Sequence, residues 1–138
     1  MVITKKLSAS TRGDGHTMDI TEDVERALGE SGMGSGVVTL FVVGSTAGLT
    51  TIEFEEGAVA DFTRLFEKLA PRDGPYQHEL RWHDDNGHSH VRAALLGPSL
   101  SVPFVAGKLV LGTWQQIVLV DFDTRPRRRE VVAQIMGE

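Results

Sequence analysis

The chain has 138 residues, 41% hydrophobic, 24% charged and 7% aromatic, which suits one ordinary globular domain spanning residues 1–138. A net charge of −5 argues against a nucleic-acid or anionic-membrane partner, because phosphates demand surplus Lys and Arg; the one basic run, "RPRRRE" at 125–130, reads as a solvated strand end or subunit contact. The absence of cysteine excludes disulfides and thiolate chemistry, and restricts any metal site to His, Asp and Glu.

"MVITKKLSAST" has no apolar core of signal-peptide length and no window approaches a membrane span, so a cytoplasmic location is expected. "VITKKLSAST" alternates as a first strand, "GDG" at 13–15 is a turn, and "HTMDI" is a short second strand. Thr21 is the expected cap of a helix with Glu22 and Asp23 in its first turn and Val24, Ala27 and Leu28 as its apolar stripe. The glycines from Gly32 to Gly36 end that helix. "VVTLFVV" at 37–43 is a buried strand, and "STAGLTTIEF" continues the sheet. Val59, Phe62, Leu65, Phe66 and Leu69 then mark an amphipathic helix over 56–70, stopped by Pro71, whose start Glu53, Glu55 and Glu56 would serve. "SLSVPFV", "KLVLG", "QQIVLVDFD" and "REVVAQIMG" read as strands, with Ala106-Gly107 as a hairpin turn. The order predicts a compact α+β domain with a largely antiparallel sheet and two to three helices. No G-x-G-x-x-G or G-x-x-x-x-G-K-[ST] motif occurs.

The segment "HDDNGHSHVRAALLGPS" at 83–99 reads in two ways. A hairpin turning at Asn86-Gly87 would put His83, Asp85, His88 and His90 on one face, a plausible zinc set. A helix started by Asn86 and stopped by Gly97-Pro98 fits the local signals after Asn86 better. Its His88 and His90 would diverge by roughly 200° about the axis. That helix would instead offer free N–H groups to phosphate. A polar surface turn without function is the plain alternative.

"NGHSHVRAALLGPSLSVPF", "GKLVLGTWQQIVLVDFD", "RPRRREVVAQIMGE" and, earlier, "GSTAGLTTIE" and "MDIT" together resemble the YjbQ-like family, often labelled secondary thiamine-phosphate synthases. The resemblance covers essentially the whole chain. It implies an α+β fold, a homotrimer, and a reaction joining a pyrimidine-methyl diphosphate to a thiazole phosphate with release of pyrophosphate. Many members carry His-Thr-Ser-Ala where this chain reads Gly44-Ser45-Thr46-Ala47, so a potential ligand or base is missing here.

Such chemistry implies anion sites, a divalent ion (Mg or Zn) on the diphosphate, and an aromatic wall. Asn86, Ser89, Ser99, Trp114 and Gln115 are the expected contacts to a small phosphorylated ligand, with Trp114 as the wall or as interface packing. His78, His88 and His90 are the expected acid/base groups or metal ligands, since no cysteine, G-x-S-x-G elbow or partnered serine supplies a nucleophile. With Gly44 in place of a ligand, the helix start is favoured over a metal as the anion site. The site is expected at a subunit boundary. A non-enzymatic trimeric binder of a phosphorylated ligand or metal is the competing function.

Overall fold

The structure is a computed structural model describing residues 1–138. Eight strands and four helices alternate as β1 (Val2–Thr11), β2 (His16–Asp19), α1 (Thr21–Ser31), β3 (Gly36–Val43), β4 (Ala47–Ile52), α2 (Glu56–Leu69), α3 (His78–Trp82), α4 (Gly87–Leu96), β5 (Ser99–Val105), β6 (Lys108–Leu109), β7 (Gln116–Asp121) and β8 (Arg127–Gly137). One sheet has the order β1-β8-β3-β5-β6 and the other β2-β7-β4, with every pair antiparallel. The α+β expectation holds. The helix count is four, one beyond the upper end of the expected two to three, because α3 is a five-residue turn with no buried face to leave a period in the sequence.

The two sheets face each other across the main core. Val38, Leu40, Val42, Phe104, Val131 and Ile135 from the larger sheet meet Leu49, Ile117 and Leu119 from the smaller one. Val24, Ala27 and Leu28 of α1 close the same core. The reverse face of the smaller sheet presents Val118, Val120 and Phe122 to Phe66 of α2 and Ala93 of α4. β7 is therefore covered on both sides, which is why "IVLV" is unbroken by polar residues.

Three details differ from expectation for identifiable reasons. Thr21 is the first helical residue and not the cap: its N–H donates to Asp19 Oδ1 at 2.9 Å, and its own oxygen accepts from Ile117 N–H at 2.9 Å, tying α1 to β7. In α2 only Phe66 is fully buried, while Leu65 and Leu69 are 48% and 59% exposed, because the helix meets β7 along one edge. Regular strand in "KLVLG" is confined to Lys108–Leu109, after which Val110 N–H makes one further bond to Pro103 O at 2.9 Å before the chain leaves the sheet. Glu55 does serve α2, accepting from Gly57 and Ala58 N–H, and those bonds hold its carboxyl below the usual range.

Candidate functional site

The helical alternative for residues 86–97 is the one the chain adopts. His83 ends α3 in the left-handed conformation, so no hairpin aligns it with His90. The start of α4 is already occupied by the chain's own acids: Gly87 N–H donates to Glu79 Oε1 at 2.7 Å and Asn86 N–H to Asp84 Oδ1 at 3.2 Å. An anion at this helix end would meet a carboxylate, so the expected phosphate site there is corrected. The Asn86 and Ser89 side chains are engaged within the chain itself. Asn86 Oδ1 accepts from Thr124 N–H at 3.3 Å, and the fully buried Ser89 hydroxyl donates to Phe122 O at 2.6 Å.

Glycine at 87 permits this closure, since a Cβ there would run into Tyr76 Cβ and lie 2.7 Å from Glu79 Oε2. Helix propensity alone favours Gly87→Ala by up to ~1 kcal/mol. Overpacking of about 1–3 kcal/mol opposes it, so the substitution is expected to lower the melting temperature. An unchanged or raised melting temperature would show that Tyr76 and Glu79 yield freely.

The three expected histidine ligands are split by the helix turn. His78 and His90 stack with ring centroids 4.5 Å apart. His78 Nδ1 lies 3.3 Å from Asp84 Oδ1 and 3.4 Å from Glu79 Oε1, and one ligand atom from each of these three residues falls within 4.8 Å of the others. His88 projects elsewhere and is only 2% exposed, so the expected His78–His88–His90 set does not come together; the ligand-type atoms that do lie close are those of His78, Glu79 and Asp84.

His88 lines a cavity of about 540 Å³ between α2 and α4. The charged lining is Arg64, Arg72 and Arg92 against Asp14 and Glu67, so arginines outnumber acids three to two. Arg92 is 7% exposed and fixed by Ala70 O at 2.8 Å and Glu67 at 2.7 Å, and Arg72 pairs with Asp14. The Arg92 bond holds the Glu67 carboxyl below its usual range. Burial, then Arg92 and Arg72, push the His88 imidazole below its ordinary value, against weaker opposing pulls from Asp85 and Glu79.

His88 Nδ1 is the one buried side-chain nitrogen or oxygen without a hydrogen-bond partner. Ser89 Oγ gives its proton to Phe122 O, so towards His88 Nε2, 3.4 Å away, it can only accept. Nε2 therefore carries the proton in the neutral ring, and Nδ1 is left as a bare acceptor. A larger cavity of about 630 Å³ adjoins through Arg72 and presents Tyr76, Gln77 and Leu80. We centre the site on the smaller one because it holds the unsatisfied atom and the buried cation.

The model of the family described as UPF0047 protein YjbQ-like matches residues 5–138. The chain belongs to the YjbQ-like family. A UPF0047 protein of Archaeoglobus fulgidus is 38% identical over 86% of this chain and 90% of its own length. The UPF0047 protein YugU of Bacillus subtilis is 35% identical over 96% of this chain and 98% of its own. Among solved structures, a YbjQ-like protein of unknown function from Sulfolobus solfataricus superposes with a TM-score of 0.94 at 34% identity, covering 100% of this chain and 99% of that one. A hypothetical protein from Aeropyrum pernix gives 0.91 at 32% identity, covering 99% of each.

Within this YjbQ-like chain the remaining expected contacts lie apart from His88. Ser99 and Gln115 line a separate groove of about 360 Å³ that shares no residue with the His88 cavity. Gln115 clamps its turn, accepting from Gly112 N–H at 3.0 Å and donating to Thr51 Oγ1 at 3.1 Å. Trp114 is 74% exposed and is no wall for this cavity within one chain. Local spacing carried no signal for Arg64, Arg72 and Arg92, which meet only when α2 and α4 pack.

A second polar centre was equally hidden. Asp121 accepts from Arg129 Nε at 2.7 Å and Nη2 at 2.9 Å, and from Thr11 Oγ1 at 2.6 Å, all buried. Asp123 accepts from Thr46 Oγ1 at 2.9 Å and Arg127 Nε at 3.0 Å. Burial pushes the Asp123 carboxyl up, but hydrogen bonds from Thr46, Asn86, Arg127 and the Arg125 amide outweigh it and hold the carboxyl below its ordinary value.

Proposed function

We propose that this YjbQ-like chain binds a small phosphorylated ligand in the His88 cavity and acts as a secondary thiamine-phosphate synthase of low activity. The observation that carries the ligand class is the unsatisfied His88 Nδ1 beside Arg64, Arg72 and Arg92. Guanidinium groups suit phosphate oxygens, and an imidazole accepting a proton as the anion arrives becomes a further donor. His88 is the acid/base group of this reading, and the cavity with Tyr76 and Leu80 has room for the organic part.

His78, Glu79 and Asp84 would hold a divalent ion, with His90 beside them. Such an ion would supply charge neutralisation for a diphosphate. Chelation is expected to weaken pyrophosphate binding while leaving inorganic phosphate binding unchanged, measured by calorimetry. Equal loss of both would remove the separation between the two positions.

The chain is further proposed to act as a homotrimer, with the site near a subunit boundary. Phe41, Val43, Val105, Val110 and Trp114 are 46%, 50%, 60%, 54% and 74% exposed, more apolar surface than an isolated chain usefully shows water. Light scattering is expected to give about 45 kDa for three chains of 15.1 kDa. A monomer mass at micromolar concentration would overturn this.

The activity is tested by mixing pure protein with the pyrimidine-methyl diphosphate, the thiazole phosphate and Mg²⁺. Thiamine phosphate above the level of a His88→Ala/His90→Ala chain is the expected result. Tight binding of either substrate without turnover would favour the second reading, a non-enzymatic binder. The separation of Ser99 and Trp114 from the His88 cavity is the observation on that side.

A further inference from the structure

Between β3 and β4 the chain turns through Gly44, Ser45 and Thr46, and this turn closes over a buried guanidinium. Arg129 is 8% exposed. Its Nε and Nη2 are spent on Asp121, and Nη2 also donates to Thr46 Oγ1. Its Nη1 donates to no group of the chain, and since it is not among the fully buried atoms it reaches the surface beside the turn, as the one end of this guanidinium left to solvent. Nη1 lies directly against Gly44: a Cβ on that residue would sit 2.7 Å from it, and φ there is +134°, a backbone state that L side chains rarely adopt. Glycine thus keeps the approach to Nη1 open.

The backbone around Nη1 is also unspent. The β3 ladder ends at Val43 and the β4 ladder begins at Ala47. None of the N–H groups of Gly44, Ser45 and Thr46 donates to a carbonyl or side chain of the protein. The nearby carboxylates do not claim these donors, because Asp121 is satisfied by Arg129 and Thr11, and Asp123 by Thr46 and Arg127. Two arginines balance these two acids, so an arriving anion meets free N–H groups at a neutralised centre.

We propose that Arg129 Nη1 and the Gly44–Thr46 turn form an oxyanion site for a phosphate group, separate from the His88 cavity. Phosphate is favoured over a carboxylate because its tetrahedral oxygens can accept from a guanidinium edge and from backbone N–H groups in different planes, whereas a carboxylate's acceptor sites lie in one plane. The site shares no residue with the His88 cavity, so it stands or falls independently of the function proposed for that cavity.

The test is an amide NMR titration of the ¹⁵N-labelled full chain with inorganic phosphate. Saturable shifts of Gly44, Ser45 and Thr46 are expected in the millimolar range. They should persist in a His88→Ala chain, where shifts around the His88 cavity disappear. In Gly44→Ala, whose Cβ covers Nη1, affinity at the turn should fall about tenfold or more. Unmoved amides at 44–46 in the wild-type chain would overturn the site, whether or not Gly44→Ala folds. Loss of their shifts in His88→Ala would do the same. Acetate at matched ionic strength moving them equally would overturn the phosphate assignment.

Discussion

Asp121→Ala is expected to destabilise the fold by about 3–5 kcal/mol, because it leaves the Arg129 guanidinium buried and uncompensated. Asp121 is fully buried, receives two bonds from Arg129 and one from Thr11, and sits at the end of β7 where the two sheets and α4 converge. A domain of this size has a total stability of about 5–15 kcal/mol, so the loss takes a large share of it. Removing both charges with apolar residues of similar volume should cost much less, since no lone ion is then left in the interior. Denaturant unfolding reads both outcomes: the midpoint of Asp121→Ala should fall at unchanged slope, and Asp121→Leu/Arg129→Met should recover much of the difference. An Asp121→Ala midpoint equal to wild type would mean that Thr46, Asp123 and the solvent at Nη1 suffice for Arg129 and that the Asp121 pair is not structural.

Much of the architecture was legible because it rests on local patterns. The alternation in β1 and β8, the apolar run of β7 and the Gly-Pro stop after α4 each follow from side-chain periodicity or backbone restriction within a few residues. The same patterns say nothing about which distant groups meet. Glu79 covers the start of α4 from eight residues away, which is why a helix end that looked open to phosphate is closed. Arg92 reaches Glu67 across 25 residues, and Thr46 reaches Asp123 across 77. His88 stood out in the sequence only as one member of a histidine cluster. Its significance comes from burial and from Ser89 donating to Phe122, which puts the ring proton on Nε2 and leaves Nδ1 a bare acceptor without a partner. Fold was readable from period and punctuation, whereas the site depends on ion pairs closed by tertiary packing.

The pH dependence of anion binding follows from that bare nitrogen. The charged groups around His88 are Arg64, Arg72, Arg92, Glu67, Asp14, Asp85 and Glu79, and the net effect of burial, Arg92 and Arg72 is an imidazole pushed below its ordinary value. Below about pH 6.5 the unfolded chain takes up a proton that folded His88 resists. Without an anion, stability therefore falls as pH drops from that point towards the lowered folded value. A bound oxyanion reverses the balance by making protonated Nδ1 a donor to a negative oxygen, so binding draws in one proton. Sulfate is the clean probe because it does not itself titrate in this range. Its affinity is expected to rise as pH falls from 8 to 6, by up to tenfold per unit where a full proton is taken up. His88→Gln should flatten that profile and weaken sulfate about 10- to 100-fold at pH 6, as expected for loss of one charge-assisted hydrogen bond. Calorimetry in buffers of different ionisation enthalpy would count the proton directly. A profile in His88→Gln as steep as in the wild-type chain would assign the proton to another group and remove His88 from the anion site.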